Sequence, residues 1–295
     1  MLRGTGSAVL LPILYRKGQK RMGTPIVKIL VASHKEYKMP DDSIYLPLHV
    51  GAEGKVDADG QPLDLGWTKD NTGDNISRLN PGFCELTGLY WAWKNLKADY
   101  IGLVHYRRHF CLKKKSRDPF ENIITGTELR PLLGQYWVFV PKKRRYFIET
   151  LYSHYAHTHY AEHLDTTREV IAEKYPEYLP SFDRIMRRRY GYMFNMMIMR
   201  RDLADKYCKW LFDSLFALSD KMGDTNLSFY QGRYFGRVSE IILNVWLDRQ
   251  VSMSYIPKNR IRELPTVYTE KIEWYKKAAS FLKAKYLGMK YEGSF

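Results

Sequence analysis

Two adjacent arginines, Arg107 and Arg108, follow an apolar run in the stretch DYIGLVHYRRHF (residues 99–110). The run itself is typical of a buried strand. Guanidinium groups bind phosphate bidentately, and a fixed strand end preorganises that geometry. Because ligands of open α/β sheets bind at the carboxyl ends of strands, the pattern predicts an anion site there. The alternative is a solvated cluster of surface salt bridges.

A carboxylate that could accept a proton, Glu240, occurs in QGRYFGRVSEIILNVW (residues 231–246). Gly232 and Gly236 punctuate a loop there, Arg233 and Arg237 add cations, and a predicted helix follows. A carboxylate held at a loop–helix junction beside a ligand is a candidate general base. The common alternative is a charge that only compensates the helix dipole.

Polar residues also crowd before a predicted helix over residues 81–96. Asn75 and Arg78 precede this helix and Glu85 lies one turn into it, a position that favours anions and hydrogen-bonded sugars. Ala32, Ser33 and His34 end the first predicted strand, where a nucleotide base and ribose could bind. A polar strand-to-loop exit is the competing interpretation of these three residues.

A histidine-rich stretch, SHYAHTHYAEHLD (residues 153–165), holds His154, His157, His159 and His163. His159 and His163 have the four-residue spacing that lets one helical face share a metal, although no glutamate stands as in HExxH. A helix that faces a polar substrate is the favoured interpretation, and a solvated face is the alternative.

The 295 residues suffice for one large domain or two small ones, with 45% hydrophobic and 15% aromatic residues. A net charge of +15 predicts anionic partners, yet no nucleic-acid-binding motif occurs. Cys84, Cys111 and Cys208 lack metal-type spacing, and their odd number favours a reducing cytoplasm. No apolar run is long enough to span a bilayer.

The predicted elements alternate between strands and helices, which indicates an α/β layered fold. Residues 41–75 read as a long functional loop. Strands are expected at 26–33, 100–104 and 136–143, shortly before residue 200 and at 252–259, and helices within 146–175, after 200 and over 238–250. Residues 1–24 read as an extension with Met22 as an alternative start, 25–257 as one domain and 258–295 as a basic tail. Residues 270–287 fit either a basic amphipathic helix on an anionic membrane or a helix packed on its own domain.

Five segments together resemble a bacterial glycosyltransferase family long catalogued only as a domain of unknown function. The segments are SHKEY, DNISRLNPGFCELTGLYWAWKN, YIGLVHYRRHF, YMFNMMIMRRDL and GRVSEIILNVWL. Members belong to capsule, exopolysaccharide and lipopolysaccharide loci, and some are galactofuranosyltransferases. The resemblance covers about residues 26–257 and implies a glycosyltransferase A-type fold, a single Rossmann-like nucleotide-binding domain with a UDP-sugar donor.

The resemblance implies an inverting transfer of a sugar to a growing lipid-linked glycan. Galactofuranose is the sugar expected first. Glu240 would be the catalytic base. The donor would contact Ala32, Ser33, His34, Asn75, Arg78, Glu85, His105, Tyr106, Arg107 and Arg108, and the acceptor would contact His154, His159, Asp165 and Asn195.

Such enzymes usually carry an Asp-x-Asp metal-binding motif at the end of this strand, and this chain has His105, Tyr106 and Arg107 at that place. Arginines are therefore expected to replace the metal, and no cofactor is expected. The expected location is cytoplasmic, at the inner face of the plasma membrane, with no nucleic-acid partner. The main alternative is a non-catalytic polyanion- or membrane-binding protein. A phosphate-transferring enzyme is disfavoured because the chain lacks a glycine-rich P-loop.

Overall fold

The structure is a computed structural model that describes residues 23–113, 115–270 and 285. The predicted extension over 1–24 and the amphipathic helix over 270–287 lie outside these residues, apart from positions 23, 24, 270 and 285. None of the helices in the described part of the chain has the length and apolar character needed to cross a membrane.

Within the described residues, nine strands form a central mixed sheet and two more form a separate antiparallel pair. The strands are β1 (Val27–Ser33), β2 (Tyr45–His49), β3 (Thr68–Lys69), β4 (Tyr100–His105), β5 (Arg108–Phe110), β6 (Val138–Pro141), β7 (Arg144–Arg145), β8 (Tyr190–Gly191), β9 (Met197–Arg200), β10 (Ile261–Leu264) and β11 (Thr266–Tyr268). The sheet runs in the order β10-β6-β9-β4-β1-β2-β3, while β5 joins β4 and β11 joins β5. The separate pair is β7 with β8.

Helices cover both faces of this sheet. They are α1 (Asn80–Phe83), α2 (Leu86–Asn95), α3 (Gly126–Leu129), α4 (Leu151–Thr158), α5 (Glu162–Lys174), α6 (Leu179–Met186), α7 (Arg201–Met222) and α8 (Tyr234–Ser252). The alternation of strands and helices and the α/β layered fold predicted from the sequence are confirmed.

The three central strands β1, β2 and β4 are parallel, so their carboxyl ends share one edge of the sheet. Ser33 pairs with His49, and Ala32 pairs with His105 at that edge. These strands are buried on both faces, as parallel sheets usually are, because side chains alternate between two apolar clusters. Leu30 and Leu103 pack in the first cluster, with α2, α7 and α8, and Val31 packs in the second.

Two strand predictions were wrong. The expected loop over 41–75 contains β2, which the sequence hides because Pro47 is unusual inside a strand. Residues 252–259 do not form the last strand: α8 ends at Ser252, Ser254 has a φ of 59° and the chain turns before β10 begins at Ile261. Strands β10 and β11 join the sheet beyond residue 257, so the sheet extends past the expected end of the domain.

Two predicted helices are each divided. Cys84, with a φ of 53°, separates α1 from α2, because a left-handed residue cannot continue a right-handed helix. The predicted helical stretch 146–175 becomes α4 and α5, and His159 caps the end of α4. His159 and His163 therefore do not share one helical face, so the spacing argument for a metal does not apply to them.

A buried carboxylate orders the loop that leads into α1. Asp70 is fully buried and accepts hydrogen bonds from the hydroxyl groups of Ser77 and Thr87. Its carboxylate also accepts from the backbone N–H groups of Gly51 (2.8 Å) and Ala52 (3.1 Å). Because these bonds join the end of β2 to α2, Asp70 fixes the segment that delivers Glu85 to the edge of the sheet.

Candidate functional site

A cavity of about 540 Å³ opens at the carboxyl edge of β1 and β4. Five arginines line it: Arg107, Arg108, Arg144, Arg233 and Arg237. Among the described residues the lining carboxylates are those of Glu85 and Glu240. The cavity thus combines a strongly cationic wall with two carboxyl groups. The cations suit an anionic ligand, and a carboxylate could accept a proton from a molecule that reacts with that ligand.

Arg108 is held between two aromatic rings at the start of β5. Its guanidinium carbon lies 3.7 Å from the ring centre of Phe194 and 4.8 Å from that of Tyr268. Its Nε is buried and has no hydrogen-bond partner among the described residues. A rigid cation with an unsatisfied donor costs free energy unless a ligand supplies an acceptor, so Arg108 fits an anion best.

Arg107 lies at the rim of the same cavity. Its Nη1 is 3.5 Å from Oε2 of Glu270, and its guanidinium carbon is 5.7 Å from the ring centre of Tyr106. Thr269, beside Glu270, donates its backbone N–H to the carbonyl oxygen of Arg107 at 3.1 Å. The segment that follows β11 therefore holds the arginine loop in place.

Glu240 faces this cationic wall from the second turn of α8 and remains partly exposed to the cavity. Burial, and secondarily the charge of Glu85, raises the pKa of Glu240 to about 7, against the opposing effects of a hydrogen bond with the backbone of Phe194 and of the charges of Arg108 and Arg144. A carboxylate with a pKa near neutral can accept a proton from a hydroxyl group in the transition state and still be mostly ionised just above pH 7.

Asn195 fixes Glu85 against α8. Its Nδ2 donates to Glu85 Oε1 (2.7 Å) and to the carbonyl oxygen of Gly236 (2.9 Å), and its Oδ1 accepts from Ser239 Oγ (2.8 Å). Phe194 and Asn195 have φ angles of 76° and 52°. Two consecutive left-handed non-glycine residues are costly, and such strain persists where the surroundings hold it, often at functional sites.

His105, the last residue of β4, lies against both Phe194 and Glu85. Its Nε2 donates to the carbonyl oxygen of Phe194 at 2.6 Å and lies 3.9 Å from Glu85 Oε1. Burial lowers the pKa of His105, although the charge of Glu85 acts in the opposite direction. His105 is therefore a neutral hydrogen-bond donor that holds the strained turn of Phe194.

The part of the cavity lining around His154 and His159, which we call the polar wall, is polar and aromatic. His154 stacks near Tyr146 with 4.3 Å between ring centres, and His159 Nδ1 donates to Gln231 Oε1 at 3.1 Å. Burial lowers the pKa of His154 to about 4 and that of His159 to about 3, so both imidazoles are neutral at pH 7. Neutral rings with hydrogen-bonding edges suit sugar hydroxyl groups better than a second anion.

The residues at the position of the usual metal motif do not fit a divalent cation. The described part of the chain contains no group of three or more acidic, histidine or cysteine side chains able to hold one. Arginine side chains stand beside His105 instead, and hard divalent cations require oxygen ligands. We therefore derive no catalytic step through a metal.

The chain matches a known family model and is similar to a solved structure. The family model for a domain of unknown function, DUF4422, matches residues 28–251. The chain belongs to the DUF4422 family. A solved structure titled WbbM bifunctional glycosyltransferase, in its apo form, aligns with a TM-score of 0.73 and 28% sequence identity, over 83% of this chain. The alignment covers 46% of that chain, so this protein spans about half of its length. No curated protein matches.

The DUF4422 domain brings most of the predicted site residues to one cavity. Those that line it are Ala32, His34, Glu85, His105, Tyr106, Arg107, Arg108, His154, His159 and Glu240. Asn195 stands directly behind them, bound to Glu85. Their common location supports one site, while the individual roles remain predictions.

Two predicted site residues lie elsewhere. Ser33 is buried and donates its hydroxyl to the carbonyl oxygen of Lys35 at 2.7 Å, which turns the chain after β1. Asp165 accepts from the hydroxyl of Tyr152 at 2.9 Å and lines a separate surface groove.

Asn75 and Arg78 are also absent from the lining of the cavity. Asn75 Oδ1 accepts from the backbone N–H of Ser77 at 3.1 Å, a local turn contact, and Arg78 is exposed. Both precede α1 in the chain, and the cavity lining begins after them, at Asn80 and then at Cys84 and Glu85. A direct donor contact by these residues would require the loop to differ in the bound state.

Sequence reasoning missed the cavity residues Cys84, Arg144 and Tyr230, and also Tyr268, whose ring packs on Arg108. Arg144 belongs to the basic run KKRR, which looks like a solvated surface in the sequence. Arg233 and Arg237 were noted only as cations near Glu240. The glycines at 232 and 236 were the one signal that the chain approaches the site there.

Proposed function

We propose that this protein is an inverting glycosyltransferase that moves a sugar from a UDP-sugar donor to a hydroxyl group of a glycan. The observation that carries the proposal is the position of Glu240, a near-neutral base, in the same cavity as the arginine cluster. Its fold resembles that of the bifunctional glycosyltransferase described above, which supports the same class of reaction.

The proposed chemistry is a single displacement. The acceptor oxygen attacks the anomeric carbon while its proton passes to Glu240, and the bond from that carbon to the UDP oxygen breaks with inversion. Negative charge develops on the departing diphosphate, where Arg107 and Arg108 stabilise it without a metal. We propose galactofuranose as the first sugar to test and a lipid-linked glycan as the first acceptor.

A donor screen tests this proposal. Hydrolysis and transfer should be measured with UDP-sugars, other nucleotide sugars and ATP, each with and without excess EDTA. We expect turnover with at least one UDP-sugar, and turnover that survives EDTA. A protein that binds UDP no better than inorganic polyphosphate and turns over no donor would instead be a polyanion-binding protein. Turnover of ATP alone would indicate phosphate transfer.

The effect of Glu85 on Glu240 leads to a pH prediction. The carboxylate of Glu85 raises the pKa of Glu240, so Glu85→Gln should lower that pKa. A base must be deprotonated to act, and so the acid limb of the kcat/KM profile should move to lower pH. The control Glu162→Gln changes an exposed carboxylate in the first turn of α5.

A Glu85→Gln profile that keeps the acid limb of the unsubstituted protein would contradict this electrostatic coupling. Loss of activity at every pH without a shift would instead assign Glu85 a direct role in binding the donor.

A further inference from the structure

Two bulky apolar side chains point into solvent side by side at one edge of the molecule. Phe147 is 81% exposed and Ile148 is 63% exposed, in the link between β7 and α4. This link is ordered by the backbone: Tyr146 N–H donates to the carbonyl oxygen of Arg189 at 2.7 Å, and Arg189 Nη1 donates to that of Phe147 at 3.3 Å. Neighbouring exposed apolar groups on a fixed backbone usually mark an interaction surface.

Four arginines surround this apolar pair. Arg144 and Arg145 form β7, and Arg188 and Arg189 immediately precede β8, which pairs with it. Within the described residues only Arg188 of these four has a carboxylate partner, Asp248 at 2.6 Å. We name the four arginines with Phe147 and Ile148 the β7–β8 edge.

The acid that follows the apolar pair in the chain does not neutralise this charge. Glu149 follows Ile148 in the chain, but its side chain is 3% exposed and accepts from Nδ1 of His154 (2.8 Å) and of His157 (2.6 Å). Burial alone would raise the pKa of Glu149, and these hydrogen bonds hold it below its usual value instead. The carboxylate is directed inward, and the outer face of the edge stays cationic and apolar.

The composition of the edge selects among partners. A polyanion such as a nucleic acid would use the arginines and could stack a base on Phe147, but it would gain little from burying the aliphatic Ile148. An anionic bilayer uses both, because its headgroups attract the cations while its acyl boundary takes up the apolar side chains. We propose that the β7–β8 edge docks on an anionic lipid surface. This holds independently of the proposed sugar transfer.

The edge is continuous with the cavity. Arg144 and Tyr146 line the cavity, as does His154 on the polar wall, while Phe147 and Ile148 project outward from the same segment. Docking at this edge brings the polar wall next to the headgroups. A hydroxyl group carried on a membrane lipid could then reach the cavity without leaving the bilayer.

The test is cosedimentation of the full chain with vesicles of phosphatidylcholine alone or mixed with anionic phosphatidylglycerol. The variant Phe147→Ser with Ile148→Ser should bind mixed vesicles about tenfold or more weakly, because the inserted apolar area is lost. Its matched control, Val56→Ser with Tyr255→Ser, removes two exposed apolar side chains elsewhere and should bind like the unsubstituted protein.

Charge reversal provides the second arm. Arg145→Glu with Arg189→Glu should reduce binding to mixed vesicles to the level of phosphatidylcholine alone. Lys97→Glu with Lys209→Glu makes the same change in net charge at exposed positions away from the edge, and should keep most of the binding. UDP binding, measured in parallel, should be unchanged in all four variants, which separates this test from the proposed function.

Three outcomes would overturn the proposal. Unchanged vesicle binding in both edge variants would remove the edge from the interface. Loss of binding on deletion of 271–295, with the edge variants unaffected, would assign the anchor to that segment. A dimer that becomes monomeric in the serine variant, without any change in vesicle binding, would make a second copy of the chain the occupant.

Discussion

Glu240→Gln is expected to lower turnover by about 10²–10⁴-fold while leaving UDP affinity within a factor of about two, since general-base catalysis contributes that much to a rate. The amide has the size of the carboxyl group and keeps its hydrogen-bonding shape, but it cannot accept the acceptor's proton. The measurement is single-turnover transfer at pH 8, where the unsubstituted carboxylate is ionised.

Stability provides the control for this substitution. The pKa of Glu240 is higher in the folded protein than in an unfolded chain, so ionisation above pH 7 opposes folding. Removing the ionisable group removes that cost, and Glu240→Gln should therefore melt at the same temperature or higher at pH 8. Near-normal turnover in a folded variant would transfer the role of base to Glu85, the other carboxylate of the described cavity lining.

The strand ends were predictable because their signal is local. The apolar run that ends at His105 is strand-like on its own, and the cations after it mark the edge where ligands bind. The start of α8 was predicted only to within a few residues, yet Glu240 still fell on the cavity. Long periodic segments and abrupt changes from apolar to charged residues thus located much of the site.

The rest depends on contacts between distant parts of the chain. The segment over 41–75 was read as a long functional loop because of its length, whereas the fold uses it to build β2 and to bury Asp70. Asn75 and Arg78, at the end of this segment and just after it, do not line the cavity. No local sequence pattern shows that the carboxylate of Asp70 will accept hydrogen bonds from the backbone N–H groups of Gly51 and Ala52, which lie well before it in the chain.

The positions of backbone strain could not be predicted from the sequence either. Left-handed conformations at Cys84, Phe194 and Asn195 arise from tertiary packing, and nothing in those residue types requires them. The resemblance implied that Asn195 contacts the acceptor. In the structure its amide group is instead bound to Glu85 and α8, so it is better placed to position Glu85 than to contact a ligand.

The aromatic clamp on Arg108 distinguishes it from the neighbouring Arg107. Arg107 is about one-third exposed, at 37%, and already faces Glu270, while Arg108 lies between Phe194 and Tyr268 with an unpaired Nε. A cation whose position is fixed before binding loses little conformational freedom when the ligand arrives. Arg108 should therefore contribute more to diphosphate binding than Arg107 does.

Arg108→Ala is expected to weaken UDP binding by about 1.5–3 kcal/mol, the scale of a hydrogen bond to a charged group. Arg107→Ala should cost less, because the diphosphate must compete there with Glu270. Arg108→Lys should recover little, since an ammonium group cannot reproduce a planar bidentate fork stacked on two rings.

Calorimetric titration with UDP, at two salt concentrations, measures these losses, and Arg262→Ala on β10 is the control for removal of an exposed arginine. Equal affinities for UDP in the Arg108→Ala variant and the unsubstituted protein would place the diphosphate on Arg233 and Arg237 instead. The base Glu240 lies on the same helix as Arg237, so that result would reverse the direction in which the donor crosses the cavity.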